Sequence, residues 1–211
     1  MGASLLFILM NLIPMITALC FSIVLGDTKS IGDFFKKVFL QKESNLSWIL
    51  AFFIPVIYYG ISILLMNVRF TGNSLLAFFP YFPWTFLYGG LEEVGWRWFL
   101  QDHLSFSKHF ITKMMVLSLV WFLWHIPIYQ LPWITAGSSN YLIFYLMILG
   151  NTFLFGALKE YSKGAVPCIL AHMLIDSLAV LMLVQSSLPQ IILLVIIEIL
   201  VSSWLVASRK L

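Results

Sequence analysis

Apolar residues in this chain do not alternate with polar ones; they form long runs separated by short polar connections. Runs over 3–25, 46–66, 75–100, 113–131, 140–159, 165–185 and 189–207 are each long enough to cross a hydrocarbon layer of about 30 Å. In hydrocarbon every backbone N–H and C=O must be paired within the segment, so each run predicts a helix. The expectation is an all-α polytopic transmembrane bundle of about seven spans. Pro80 and Pro83 interrupt the third run and predict a kink or break over 79–84. Lys159, Glu160 and Lys163 close the fifth, and Gly164 marks the turn into the sixth. Between the first two runs, Ile31, Phe34, Phe35, Val38 and Phe39 follow helical spacing with Lys36 and Lys37 beside them. That pattern predicts a short amphipathic helix on the membrane surface, an anchor for the bundle or a face that gathers membrane-bound substrate.

Composition sharpens the class. Of 211 residues 61% are apolar and 10% charged, whereas a soluble chain is about half apolar and roughly a quarter charged. The sequence shows no internal repeat, so 1–211 reads as a single integral-membrane domain. The net charge of +3 is spread over short connections, which predicts no nucleic-acid partner. Lys29, Lys36, Lys37, Lys42, Lys108, Lys113, Lys159, Lys163, Arg209 and Lys210 fall on alternate connections, and only Arg69 lies on the opposite side. Basic connections stay in the cytoplasm, so the N-terminus is expected outside and the C-terminus inside. The first run has no basic residue ahead of it and reads as a span, not a cleavable signal. Cys20 and Cys168 sit in apolar runs and read as small hydrophobes. Trp48, Trp133 and Tyr161 read as interfacial anchors.

Against this background the ionisable residues inside the runs stand out, because charge at membrane depth is costly and marks function by default. Gly89-Gly90-Leu91-Glu92-Glu93-Val94-Gly95-Trp96-Arg97 carries three of them. At about 1.5 Å per residue, Glu92 and Glu93 lie roughly 12–15 Å from the cytoplasmic end of the third span. His125 reaches about 18 Å on the fourth, and His172 and Asp176 roughly 10–18 Å on the sixth. One buried polar layer open to the cytoplasm is the simplest account. Glu93 and Arg97 are four apart and predict a salt bridge, leaving Glu92 about 100° round the helix. His172 and Asp176 share a face, and Pro127 follows His125 closely enough to distort its turn. The plain alternative is that the Arg-Glu pair only sets helix register and the histidines only pack. Asn151 lies at a similar depth, as glue or as a hydrogen-bonding support for the pocket. Glu198 stands in Ile-Ile-Glu-Ile-Leu with no evident partner and is left outside the site. His103 and His109 read as solvated.

Glu92-Glu93-x-x-x-Arg97, an aromatic-x-x-x-His ending at His125, and His172-x-x-x-Asp176 resemble the three signatures of the CPBP intramembrane proteases. That family includes the CAAX prenyl endopeptidases and bacterial proteins linked to bacteriocin processing and self-immunity. The resemblance covers about 89–177, with Trp96 and Pro127 also typical. Two positions depart from the pattern. Trp121 stands where Phe is usual, and Asp176 stands where the well-known CAAX proteases carry Asn. An ionised Asp cannot donate to an oxyanion, so Asp176 must be protonated or act by orienting His172.

The resemblance implies an intramembrane endopeptidase in which Glu92 and His125 polarise a water, His172 with Asp176 stabilises the oxyanion, and Glu93 and Arg97 fix the surroundings. The preferred reading uses no cofactor. The alternative mechanism is a zinc site of Glu92, His125 and His172 with Asp176 behind it, although the chain lacks HExxH. The implied partner is a membrane-associated peptide or protein, prenylated or not. A non-catalytic immunity or scaffold protein is the alternative outside enzymology.

Overall fold

A computed structural model of the chain describes residues 2–129, 140–184 and 187–209; Trp133 and Lys210 lie outside the described residues. The order is α1 (Gly2–Val24), α2 (Ile31–Phe39), α3 (Asn45–Leu64), β1 (Val68–Phe70), α4 (Phe78–Thr85), α5 (Gln101–His103), α6 (Phe110–Tyr129), α7 (Tyr141–Tyr161), α8 (Val166–Leu178), β2 (Met182–Val184) and α9 (Leu188–Ser208). Two π-helical segments, Phe86–Gly90 and Val94–Leu100, join α4 to α5.

Five helices among the described residues are long and apolar enough to cross a membrane, beginning at Leu6, Asn45, Phe110, Tyr141 and Leu188. Their outward residues, among them Phe21, Phe52, Phe53, Leu200 and Trp204, are apolar and exposed. That is the inverse of a soluble surface and suits hydrocarbon as solvent.

The remaining two predicted spans take other forms. The third is a composite of α4, the two π segments and α5. Its departure from α-geometry begins at Phe86, not within 79–84. Pro80 falls in the first turn of α4, where no intrahelical N–H partner is lost, and α4 continues through Pro83 to Thr85. The sixth, expected over 165–185, is helical only over Val166–Leu178, about 20 Å at helical rise. Its continuation forms β2, which pairs antiparallel with β1 through Val68–Val184, Arg69–Leu183 and Phe70–Met182. The described residues are mostly helical, as expected, and this short two-stranded ribbon is a small addition to the bundle. Continuous apolar sequence suits a short buried strand as well as a helix.

Connections gather in two layers. On one, His103 pairs with Asp27 at 3.0 Å, Lys159 with Asp102 at 3.0 Å and Arg209 with Glu160 at 3.2 Å. On the other, the β-ribbon is joined by Thr71 Oγ1 donating to the Val180 carbonyl at 2.6 Å and Gln190 Nε2 to the Leu65 carbonyl at 2.9 Å. Helix α2 belongs to the first layer. Ser30 caps it by accepting from the Asp33 N–H at 3.2 Å. Phe34 and Val38 are buried, Phe34 edge-on to Trp98 at 5.3 Å, while Ile31 and Phe35 face outward. The Val38 carbonyl accepts from the Ala165 N–H at 2.9 Å, and the Glu43 carboxylate accepts from the Lys163 and Gly164 N–H groups. The surface helix is thereby bonded to the turn that starts α8.

Candidate active site

The site is built where small residues let helices approach. A Cβ at Gly89 would stand 2.5 Å from Asp176 Oδ2 and 2.8 Å from His172 Nε2; one at Gly90 would stand 3.0 Å from Met173 Cγ. Only glycines let α8 pack this closely on the first π segment. Thr85 Oγ1 adds a link to the Met173 carbonyl at 3.2 Å and lies 3.1 Å from Ser177 Oγ. At Gly95 a Cβ would meet Pro14 Cβ at 2.5 Å, so α1 lies directly against the second π segment.

Glu92 and Glu93 fall between the two π segments. The Leu91 N–H bonds to the Phe86 carbonyl at 3.1 Å, five residues back, so the turn before the acidic pair is wider than an α turn. Both carboxyl groups end up inside, Glu92 2% and Glu93 0% exposed. Their partners differ. Glu92 Oε2 accepts from two indoles, Trp96 Nε1 at 3.0 Å and Trp121 Nε1 at 3.1 Å. Among the described residues Oε1 accepts no hydrogen bond.

Glu93 spends both oxygens on cationic or ring nitrogens. Arg97 Nε donates to Oε2 at 2.8 Å and His172 Nδ1 to Oε1 at 2.8 Å. Arg97 is fully buried, with its guanidinium carbon 5.0 Å from the Trp121 ring centroid and 5.6 Å from that of Phe155, a cation–π setting suited to a desolvated charge. His172 stacks on Phe155 at 5.4 Å. Its Nε2 lies 3.5 Å from Asp176 Oδ2, too long for a good hydrogen bond.

His125 approaches on α6. Its Nδ1 lies 2.7 Å from the Trp121 carbonyl. A carbonyl only accepts, so Nδ1 carries the proton and Nε2 is the acceptor nitrogen of the neutral ring. Trp121 thus touches four of the polar residues. Its N–H reaches Glu92, its face covers Arg97, its edge meets His172 at 5.9 Å and its carbonyl orients His125.

The structure therefore joins Glu92, Glu93, Arg97, His125, His172 and Asp176 through direct contacts or through Trp121. It reassigns one partnership, since His172 bonds to Glu93 and only loosely faces Asp176. Asn151 does not join this network: its amide sits against Tyr58, next to Gly150 and Glu198. Trp96 was the residue most open to sequence reasoning, because it stands four positions after Glu92 just as Arg97 stands after Glu93. Trp121, Gly89 and Phe155 act across helices, where spacing carries no signal.

Glu92, His125 and His172, the residues of the zinc alternative, are not drawn together as a ligand cluster. Among the described residues no three His, Cys, Asp or Glu side chains gather as metal ligands. Glu92 Oε2 and His172 Nδ1 have protein partners, and a ring nitrogen bonded to a carboxylate is also how a metal-ligating histidine is oriented, so these bonds do not decide the question.

The model of the Rce1-like family, type II CAAX prenyl endopeptidase, matches residues 74–178. No curated protein matches the chain.

Proposed function

The chain belongs to the CPBP family of CAAX-type proteases, and from that premise we propose that it hydrolyses a peptide bond of a membrane-associated protein or peptide with a water activated by Glu92 and His125. The observation that carries this reading is the asymmetry of Glu92. Two indole N–H groups hold one oxygen and leave the other, Oε1, to face the reacting water.

Glu92 Oε1 takes a proton from water while His125 Nε2 accepts the second O–H and aims the oxygen. The water oxygen bonds to the scissile carbonyl carbon, and the C=O electron pair moves to its oxygen. His172, which already donates through Nδ1 to Glu93, acts as the imidazolium, so its Nε2–H donates to that oxyanion; its poor distance to Asp176 leaves this N–H available for the bond. The proton on Glu92 then passes to the amide nitrogen as the C–N bond breaks, giving an acid and an amine. Glu93 orients His172 through Nδ1, Arg97 holds Glu93 in turn, and Asp176 borders the Nε2 side of the ring.

The substrate class we propose is a prenylated C-terminal segment or a small peptide at the cytoplasmic leaflet. We also propose that the composite third span and α8 complete seven crossings, N-terminus out and C-terminus in. The two layers of connections support this path, because α8 runs from the layer holding Ala165 to the layer holding β2.

The test is reconstitution of the purified protein in nanodiscs with a farnesylated CAAX peptide and an unprenylated peptide of the same sequence, product release being read by mass spectrometry. Cleavage by the wild type and its loss in Glu92→Gln, His125→Ala and His172→Ala supports the reading. Equal cleavage by the wild type and all three folded variants overturns it.

A further inference from the structure

One buried carboxyl plays no part in this chemistry. Glu198 lies mid-way along α9, 1% exposed, and neither of its oxygens makes a hydrogen bond. Among the described residues no ion pair reaches it. Three further oxygens nearby by position or spacing are also buried and unpartnered. Ser202 Oγ stands one turn on, on the same face of α9, with Ser203 Oγ beside it, and Asn151 Oδ1 stands on α7. Asn151 is the neighbour of Gly150, where a Cβ would overlap Glu198 Oε2, so α7 meets α9 at the carboxyl itself. The Asn151 amide also lies against Tyr58 of α3.

The chemistry of this cluster is one-sided. It presents a carboxylate, an amide oxygen and hydroxyl oxygens, and no cationic side chain. A set made of hard oxygens suits an alkali or alkaline-earth cation and not a transition metal. The formal charge of the set is a single negative one, so a divalent ion would leave a net positive charge in a low-dielectric layer, whereas a monovalent ion cancels it. Protonation would also cancel the charge, but it adds one O–H for two carboxyl oxygens and an amide oxygen; a cation engages all of them at once.

We propose that Glu198, Asn151 and Ser202 form a sodium-ion site between α7 and α9, separate from the Glu92 site. The bound ion would lock the two helices, and α7 in turn backs the guanidinium of Arg97 through the Thr152 carbonyl.

The experiment measures thermal unfolding of the purified full chain in detergent, by tryptophan fluorescence, as sodium chloride replaces choline chloride at constant ionic strength. The wild type should gain on the order of a few degrees with saturation. Glu198→Gln should unfold at a temperature independent of sodium, and Ser202→Ala should move the midpoint to higher sodium. Glu92→Gln should keep the full response, so the outcome is independent of whether the protein is a protease. A wild-type unfolding temperature equal in sodium and choline overturns the site, as does a sodium response that persists in Glu198→Gln. A temperature that ignores sodium but rises with acid in the wild type alone would show a neutral carboxylic acid there, and also overturns it.

Discussion

At the scale of single residues, the two adjacent glutamates should separate cleanly under substitution. Glu92→Gln keeps an oxygen for the indole donors but cannot take a proton, so peptide cleavage should fall by about 10²–10⁴-fold while the unfolding temperature stays near that of the wild type. Glu93→Gln leaves Arg97 buried without its counter-charge, and breaking a buried pair costs about 3–5 kcal/mol; a lower unfolding temperature checks it. Trp121→Phe is the sharper case, since Phe keeps a ring over Arg97 but loses the bond to Glu92 Oε2. Cleavage should drop by about 10- to 100-fold, the weight of one hydrogen bond to a charged group of roughly 1.5–3 kcal/mol, with little change in unfolding. The i, i+4 pairing of Glu93 with Arg97 was legible because one helix carries both partners. The bond from His172 to Glu93 was not, because it joins residues 79 positions apart on different helices.

At the scale of elements, the site depends on backbone that hydropathy cannot describe. The third span was expected to break at its prolines, yet α4 runs through Pro83, and the widened turns come where Gly89, Gly90 and Gly95 remove side chains from crowded contacts. An apolar run tells how long a segment is, not whether its turns are α or π. The same limit hid β2, since Met182–Val184 reads equally well as the end of a helix. Gly89→Ala tests the arrangement, because its methyl would stand where Asp176 Oδ2 and His172 Nε2 now lie. Displacing the oxyanion donor by about 1 Å costs on the order of 10²-fold in rate, so cleavage should fall that far in a protein that still folds. Unimpaired cleavage in Gly89→Ala would show that His172 does not need its present position.

At the scale of the molecule, the basic connections and the contact pattern sort into the same two layers. Lys29, Lys36, Lys37, Lys159, Lys163 and Arg209 belong to the layer that holds Asp27, Asp102 and Glu160, and Arg69 sits on the ribbon of the opposite layer. If charge sets the topology, the first layer is cytoplasmic. Single cysteines at exposed Ser105 and Asn73, in a chain with Cys20 and Cys168 replaced by alanine, place these layers on opposite sides. A membrane-impermeant maleimide added to intact cells should label Asn73→Cys and spare Ser105→Cys, and permeabilised cells should label both. Labelling of both in intact cells would mean that the composite third span does not cross. That outcome would also move the catalytic proposal, since Glu92 would then sit in a re-entrant turn entered from the side of Asn73. Labelling of Ser105→Cys alone would keep the crossing and invert the protein. Its substrate would then have to be sought on the outer leaflet, where a farnesylated cytoplasmic tail is never presented.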